Sequence, residues 1–362
     1  MMDDLYPSPD GLTASPMFER DGTPAPGEAR DDGPLFVARV GCPVCGADRP
    51  ATLYDATYDS PAVLRHVDSH YRRQGKVDHS LLRGVDFTIF ECRDCALIYQ
   101  KMVPAPAMLH HLYDRFIDPE KLKDHEHARL TLDNHLDVAT RLASLLVRIG
   151  KEPKDTTLLD FGFGYGRWAR VAVGMGMQVF ATEISPEKIA FARSIGVRIV
   201  DEAALARMQF DIVHTEQVFE HLTHPVEVFD MLARCIGPGG VLKLAVPRQG
   251  RIRRLLRRNG FIDWSPYEKD FKCGAYNDYN AVLPLEHLNA FCRKTVESLA
   301  RRHDLVVETG RYGGSAVFLD ASSRGRLLAS ARHSARRLLK DLYVRFGPGR
   351  ADTGCYVLAR RA

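Results

Sequence analysis

The sequence predicts an α/β protein built on a doubly wound, mainly parallel sheet, with a small cysteine-rich module ahead of it. Three observations carry that expectation. From about residue 155, short apolar runs alternate with helical stretches, the signature of repeated β-α units. The first of those runs breaks into the glycine-rich turn Asp160-Phe-Gly162-Phe-Gly164-Tyr-Gly166. Upstream, two Cys-x-x-Cys pairs, Cys42/Cys45 and Cys92/Cys95, sit among short strand-like pieces.

Length and charge narrow the field. The 362 residues suffice for one large domain or two ordinary ones. A formal net charge of +4 is too small to argue for a nucleic-acid partner. No run of about eighteen apolar residues occurs, so no membrane span is expected. The N-terminus is acidic and proline-rich, unlike a secretory signal, and a cytoplasmic setting with reduced thiols follows.

Taken in order, residues 1–35 are rich in Pro, Gly and Asp and read as a disordered arm. Residues 36–103 hold the cysteine pairs and the strand-like runs 36–40, 87–90 and 97–99. Each pair bends the chain so that two thiolates meet, and Gly46 supplies permissive backbone after the first. Four thiolates make a closed tetrahedral site, so Cys42, Cys45, Cys92 and Cys95 are expected to hold a structural Zn2+. His66, His70 and His79, in the insert between the pairs, are alternative zinc ligands by type but read as surface histidines. Residues 104–150 form a helical linker or cap. Met108, Leu109, Leu112, Tyr113 and Phe116 share one face of its first helix, and residues 130–149 make the second.

The domain from 151 to 362 has expected strands at 157–161, 178–182, 197–200, 211–215, 241–246, 305–308 and 354–359. Two segments interrupt it. An insert at about 248–284 begins with Arg251, Arg253, Arg254, Arg257 and Arg258 and continues with aromatic residues. The basic stretch Arg324–Phe346 is amphipathic; a membrane surface is the alternative partner, but it is expected to pack on the sheet through its leucines.

The turn at 160–166 describes its ligand. A dinucleotide fingerprint counted from Gly162 would need a third glycine at Arg167. An acid followed by glycines at alternate positions suits a nucleoside bearing an ammonium group and no pyrophosphate, such as S-adenosylmethionine (SAM). Glu183, with Ile184 beside it, ends the second strand, where an acid can accept from both ribose hydroxyls. Asp201 and Glu202 follow the third strand at the expected adenine edge, and Thr215-Glu216 end the fourth beside the methionine half. All lie at the carboxyl ends of strands, where open parallel sheets bind ligands.

Three stretches in correct order resemble the class I SAM-dependent methyltransferases. Leu158-Leu-Asp-Phe-Gly-Phe-Gly-Tyr-Gly-Arg167 is similar to their motif I. Phe210-Asp-Ile-Val-His-Thr-Glu-Gln-Val-Phe-Glu-His-Leu222 is similar to their fourth strand and its sequel. Residues 232–247, with Gly237-Pro-Gly-Gly240, are similar to the turn and fifth strand. The resemblance covers roughly residues 130–320. It implies a Rossmann-like seven-stranded sheet with an antiparallel last pair. It also implies SAM contacts from Gly162, Gly164, Glu183 and the end of the fourth strand; Asp160 and Gly166 of the same turn complete the expected cofactor-binding set. With a zinc ribbon in front, the chain is similar to the sugar C-methyltransferases and their relatives, whose zinc module helps form the acceptor side.

Methyl transfer needs an aligned nucleophile and usually a base, and histidine titrates near neutrality. Pro284-Leu-Glu286-His287-Leu-Asn-Ala-Phe291 resembles the Tyr-x-Glu-His-x-x-x-Phe stretch of those enzymes, with proline in place of the tyrosine. His287 is the first candidate base, with Glu286 beside it, and Tyr276 or Tyr279 could supply the missing phenol. His221, in Glu220-His221-Leu222, is the second. His214 and His224 read as structural. The expected acceptor is a small molecule or a glycan-linked sugar methylated on oxygen or carbon. A phosphate on it would suit the arginine run. Two other functions fit parts of the pattern: RNA methylation, with the ribbon gripping phosphates, and a non-catalytic SAM-binding scaffold.

Overall fold

The two Cys-x-x-Cys pairs close knuckles beside a small antiparallel sheet. A computed structural model describes residues 33–71, 75–128, 130–250, 252–259, 282–308, 317, 319–346 and 354–361. The expected arm, apart from residues 33–35, lies outside them, as do Tyr276, Tyr279 and most of the 248–284 insert. β1 (Phe36–Ala38) pairs with β5 (Met102–Pro104). β2 (Ala51–Thr57), β3 (Asp86–Glu91) and β4 (Ile98–Gln100) form an antiparallel meander. Between β2 and β3 runs α1 (Pro61–Tyr71), which buries Val63, His66, Val67, His70 and Tyr71. The surface reading of His66 and His70 is therefore corrected: α1 turns both inward, because its apolar stripe includes them. His79 stays half-exposed and pairs with Asp68 at 2.7 Å.

α2 (Pro106–His110) passes into a π-helical turn at His111–Phe116, with Met108, Leu112 and Phe116 buried and Tyr113 exposed. α3 (Pro119–Ala128) follows, then α4 (Leu132–Ile149), capped by Thr131 at its start and by left-handed Gly150 at its end. α4 packs Val138, Leu142, Leu145 and Leu146 on the second sheet, so this helix belongs to the larger core.

That sheet is seven-stranded. Its elements are β6 (Thr157–Phe161), α5 (Arg167–Gly174), β7 (Gln178–Thr182), α6 (Pro186–Ser194), β8 (Arg198–Ile199), α7 (Glu202–Leu205), β9 (Phe210–Glu216), α8 (Pro225–Arg234) and β10 (Ile236–Ala245). After α9 (Ile252–Asn259) and β11 (Asn289–Ala290) come α10 (Arg293–Ala300), β12 (Leu305–Val307), α11 (Arg324–Phe346) and β13 (Cys355–Arg360). The strand order is β12-β13-β10-β9-β6-β7-β8. The inner strands are parallel, while β13 runs antiparallel to both β10 and β12. Both faces are covered, so Leu158 and Leu159, or Val241 and Leu242, are buried on opposite sides.

The halves interlock. β11 pairs with β4, Asn289 opposite Tyr99 and Ala290 opposite Ile98, and so adds the fourth strand to the N-terminal sheet. The Asn289 carboxamide donates to the carbonyls of Phe219 and Leu222 and accepts from Arg39 Nη1 at 2.9 Å. Arg39 Nη2 reaches the carbonyls of Leu222 and Thr223 at 3.2 and 3.1 Å. Ile252 and Leu256 of α9 are buried in the N-terminal core, and Arg253 forms an ion pair with Glu91.

α11 departs from expectation. Leu327, Leu328, Leu338, Leu339 and Leu342 are exposed, whereas Ser330 and Ser334 face the body and Arg337 pairs with Asp133. The small residues permit the close approach, which leaves the leucine stripe outward. No helix among the described residues is long and apolar enough to cross a membrane.

Arg39→Ala should lower unfolding stability by about 2–3 kcal/mol, because several charge-assisted bonds spanning both halves disappear. Urea denaturation measures this. An unchanged midpoint would show that the halves do not depend on this contact.

Candidate functional site

Backbone geometry shapes the donor side. Gly162, Gly164 and Gly166 take φ of 83°, 54° and 68°, a left-handed region that side chains resist. A Cβ on Gly162 would stand 2.6 Å from Val218 Cγ2, so the glycine turn packs directly on the loop after β9. A Cβ on Gly164 would meet nothing within 4 Å, so this glycine borders open space. The Gly162 amide donates to Thr182 Oγ1 and the Gly164 amide to Glu183 Oε2 at 3.1 Å. The other Glu183 oxygen accepts from the amides of Ile184 and Ser185. Asp201 caps α7 by accepting from the Ala204 amide at 2.7 Å. The residues expected around a cofactor thus gather at the carboxyl ends of β6, β7, β8 and β9.

Beneath them runs a buried polar ladder that sequence reasoning missed. Asp160, His214 and Lys243 occupy paired positions on β6, β9 and β10. Neutral His214 donates from Nδ1 to Asp160 Oδ1 at 2.7 Å and accepts at Nε2 from Lys243 Nζ at 3.1 Å. Burial holds the His214 pKa well below its usual value, which favours this neutral form. Burial also raises Asp160 to about 7, against the opposing charge of Lys243. Lys243 reaches Glu216 Oε2 at 2.5 Å, Arg167 forms an ion pair with Glu216, and the Trp168 ring covers both His214 and Lys243. Glu216 is therefore tied to two cations. The readable signal was a lysine inside the apolar run of β10.

Acceptor-side candidates converge from three segments. The loop after β9 supplies Glu220 and His221, the segment before β11 supplies Glu286 and His287, and α1 supplies His70 and Tyr71. The His221 and His287 rings meet edge to face, with centroids 4.7 Å apart. Glu286 Oε2 lies 2.7 Å from His70 Nε2 in a buried pair. Burial pushes Glu286 up, but the His70 hydrogen bond and charge, with His221 and His287 nearby, outweigh it and hold the carboxyl at about 2. Burial lowers His221 and keeps it neutral. Buried Tyr71 is raised well above the usual phenol by burial and then by the Glu286 charge. Sequence reasoning missed the His70 pairing because Glu286 lies more than two hundred residues away.

The backbone here is strained: Gln217 and Leu285 take φ of 59° and 73°. Gln100 of β4 braces the second segment, donating to the carbonyls of Leu283 and His287 at 2.8 and 2.9 Å. The amides of Leu288 and Asn289 donate to the Glu220 carbonyl, which stitches the two segments together.

The four knuckle cysteines bring their sulfurs within 4.8 Å of one another, with Cys42–Cys95 at 3.5 Å and Cys45–Cys92 at 3.4 Å. A tetrahedron of thiolates about 2.3 Å from zinc has edges of about 3.8 Å, so the donor set fits that ion. Left-handed Gly46 and Ala96 occupy matching positions, and their amides return to the carbonyls of Cys42 and Cys92.

A family model described as a methyltransferase domain matches residues 134–309. A ubiquinone biosynthesis O-methyltransferase from Xanthomonas oryzae pv. oryzae is 30% identical over 167 residues, 40% of this chain and 69% of the relative. One from Xanthomonas axonopodis pv. citri is 30% identical over 105 residues, 26% of this chain and 44% of the relative. Among solved structures, a plantazolicin methyltransferase in complex with a substrate analogue and S-adenosylhomocysteine is 16% identical, with a TM-score of 0.40 over 70% of this chain and 94% of that one. A possible histamine N-methyltransferase from Thermotoga maritima is 15% identical, with a TM-score of 0.35 over 56% of this chain and 86% of that one.

Two measurements probe this geometry. Glu183→Ala should weaken SAM binding about 100-fold by calorimetry, the loss of two charge-assisted hydrogen bonds; a change below threefold would remove Glu183 from the donor site. Glu286→Gln should be less stable than the parent at pH 6. A carboxyl depressed from 4.5 to about 2 adds stability that is full above 4.5 and disappears as pH falls toward 2. The gap between the two proteins should therefore narrow below pH 4.5, read from urea midpoints.

Proposed function

This chain belongs to the class I SAM-dependent methyltransferases, and we propose that it methylates a hydroxyl oxygen of a small or glycan-linked acceptor, a sugar in the first instance. One observation carries the reading. Glu220, His221, Glu286 and His287 form one group beside the loop that packs on the glycine turn, with His70 and Tyr71 of the N-terminal module closing its far side. We place SAM against Asp160, Gly162, Gly164, Gly166, Glu183, Ile184, Asp201, Thr215 and Glu216, and the acceptor against His221, Glu286 and His287.

Bound SAM supplies a methyl group already activated for displacement. The chain's own residues must then orient the acceptor and take up its proton. A neutral His221 and an ionised Glu286 within one buried group favour loss of a hydroxyl proton. The His70 hydrogen bond meets the Glu286 carboxylate, so the anion is not buried without a partner.

Oxygen is favoured over carbon as the methylated atom. Pro284 stands where the sugar C-methyltransferases carry a tyrosine, and the relative from Xanthomonas oryzae is an O-methyltransferase. The sugar assignment rests on the Glu286-His287 stretch and on an N-terminal module reaching the acceptor side. In that module we propose a structural zinc on Cys42, Cys45, Cys92 and Cys95, which would hold the knuckles against Tyr99 and Phe291. RNA is the weaker acceptor, because Arg253 is already paired with Glu91.

The test uses labelled SAM with nucleotide-linked sugars, free glycans and small phenols. His287→Ala and His221→Ala should each lower kcat about 10²- to 10⁴-fold on the preferred acceptor while SAM affinity stays within about twofold. Transfer that survives both substitutions would remove these histidines from the reaction. Transfer to phenols but to no sugar would replace the proposed acceptor, and transfer to none would favour the scaffold function.

A further inference from the structure

We infer that Glu220, His221 and His287 together bind a divalent transition-metal cation, leaving coordination positions for the acceptor oxygen. The inference rests on the proposed acceptor placement and refines what the two histidines do there. One ligand atom from each of the three side chains lies within 4.8 Å of those from the other two. His221 Nε2 stands 4.0 Å from Glu220 Oε1.

Burial supplies the second observation. Glu220 is fully buried, and neither carboxylate oxygen has a hydrogen-bond partner among the described residues. His221 Nδ1 also lacks one. Folded proteins rarely leave a buried carboxylate unmet, and a cation coordinated by Glu220 removes that deficit. The backbone is arranged to keep the carboxylate there, because the Glu220 carbonyl accepts from the amides of Leu288 and Asn289, directly after His287. Positive φ at Gln217 and Leu285 brings both segments to this point.

The donor set selects the ion. Two imidazoles and one carboxylate suit Zn2+, Mn2+, Fe2+ or Co2+ better than the harder Mg2+ or Ca2+. Three protein ligands leave room for substrate, unlike the closed set of four thiolates at the knuckles. The hydrogen-bonded pair of Glu286 and His70 lies next to the group.

The chemistry follows from polarisation. An acceptor hydroxyl coordinated there loses its proton near neutral pH. Its oxygen forms the new bond to the methyl carbon as the S–CH3 bond breaks and that electron pair stays on sulfur. The products are a methyl ether, neutral S-adenosylhomocysteine and one proton.

The experiment titrates Co2+ into full-length protein whose cysteine site is already filled with Zn2+, following visible absorption and metal content. The wild type should take up a second equivalent with weak visible bands and no thiolate charge-transfer band, releasing protons as it binds. Glu220→Gln and His287→Ala should weaken that uptake at least about 100-fold while keeping their zinc and their SAM affinity. A wild type that binds only one equivalent, or variants that still bind two, would overturn the inference. Failure of the acceptor reading is separable. One equivalent with transfer lost in His287→Ala sinks the metal and leaves that reading standing, whereas two equivalents with transfer intact does the reverse.

Discussion

Two residues from the second half of the chain, Asn289 and Ala290, complete the sheet of the first half, and the acceptor side hangs on that pairing. A two-residue strand contributes little by itself. Its weight comes from what it fixes. Asn289 uses donor and acceptor atoms of its carboxamide to hold the loop after β9 and Arg39 at once. His287 sits two residues before it, and Phe291 one residue after Ala290 is buried against the cysteine knuckles. In the proposed arrangement the N-terminal module is the opposite wall of the acceptor cleft, because neither half places His70 beside Glu286 without the other.

The donor and acceptor sides handle buried polarity differently. Under the glycine turn, Asp160, His214, Lys243, Glu216 and Arg167 form an unbroken chain of hydrogen bonds and ion pairs. Such a network fixes strand register, since a slip of one residue would strand every member on the wrong face. On the acceptor side, His70 answers Glu286, but the Glu220 carboxylate has no hydrogen-bond partner among the described residues. A rigid, satisfied donor side suits a cofactor that is always the same. An acceptor side that keeps bonding capacity suits a group meant to meet something else.

Legibility in the sequence followed the range of the interactions. The parallel strands could be read because each is an apolar run bounded by turn residues, and the turn at 160–166 declared its need for positive φ through its glycines. The knuckles could be read from a three-residue spacing. The role of His70 could not, since α1 shows an ordinary amphipathic pattern and its partner is Glu286, far along the chain. β11 is too short to carry periodicity. Lys243 was visible as a polar residue in an apolar run, yet its partners only appear once three strands are aligned. In α11 the leucine stripe was recognised, but periodicity reports which residues share a face and not which face turns inward; Ser330 and Ser334 took the inner side.

These differences bear on how acceptor choice is encoded. The proposed donor half is built from backbone amides and glycines within residues 157–216, where a substitution is expected to alter SAM binding for every acceptor alike. The acceptor half is assembled from α1, the loop after β9 and the segment before β11, three pieces that meet only through tertiary contacts. Changes in α1 leave the glycine turn untouched, because α1 packs in a separate hydrophobic core from β6 and α5. On the proposed acceptor placement, specificity can thus shift through the N-terminal module without disturbing the methyl donor, provided Arg39 and Asn289 keep the two halves in register.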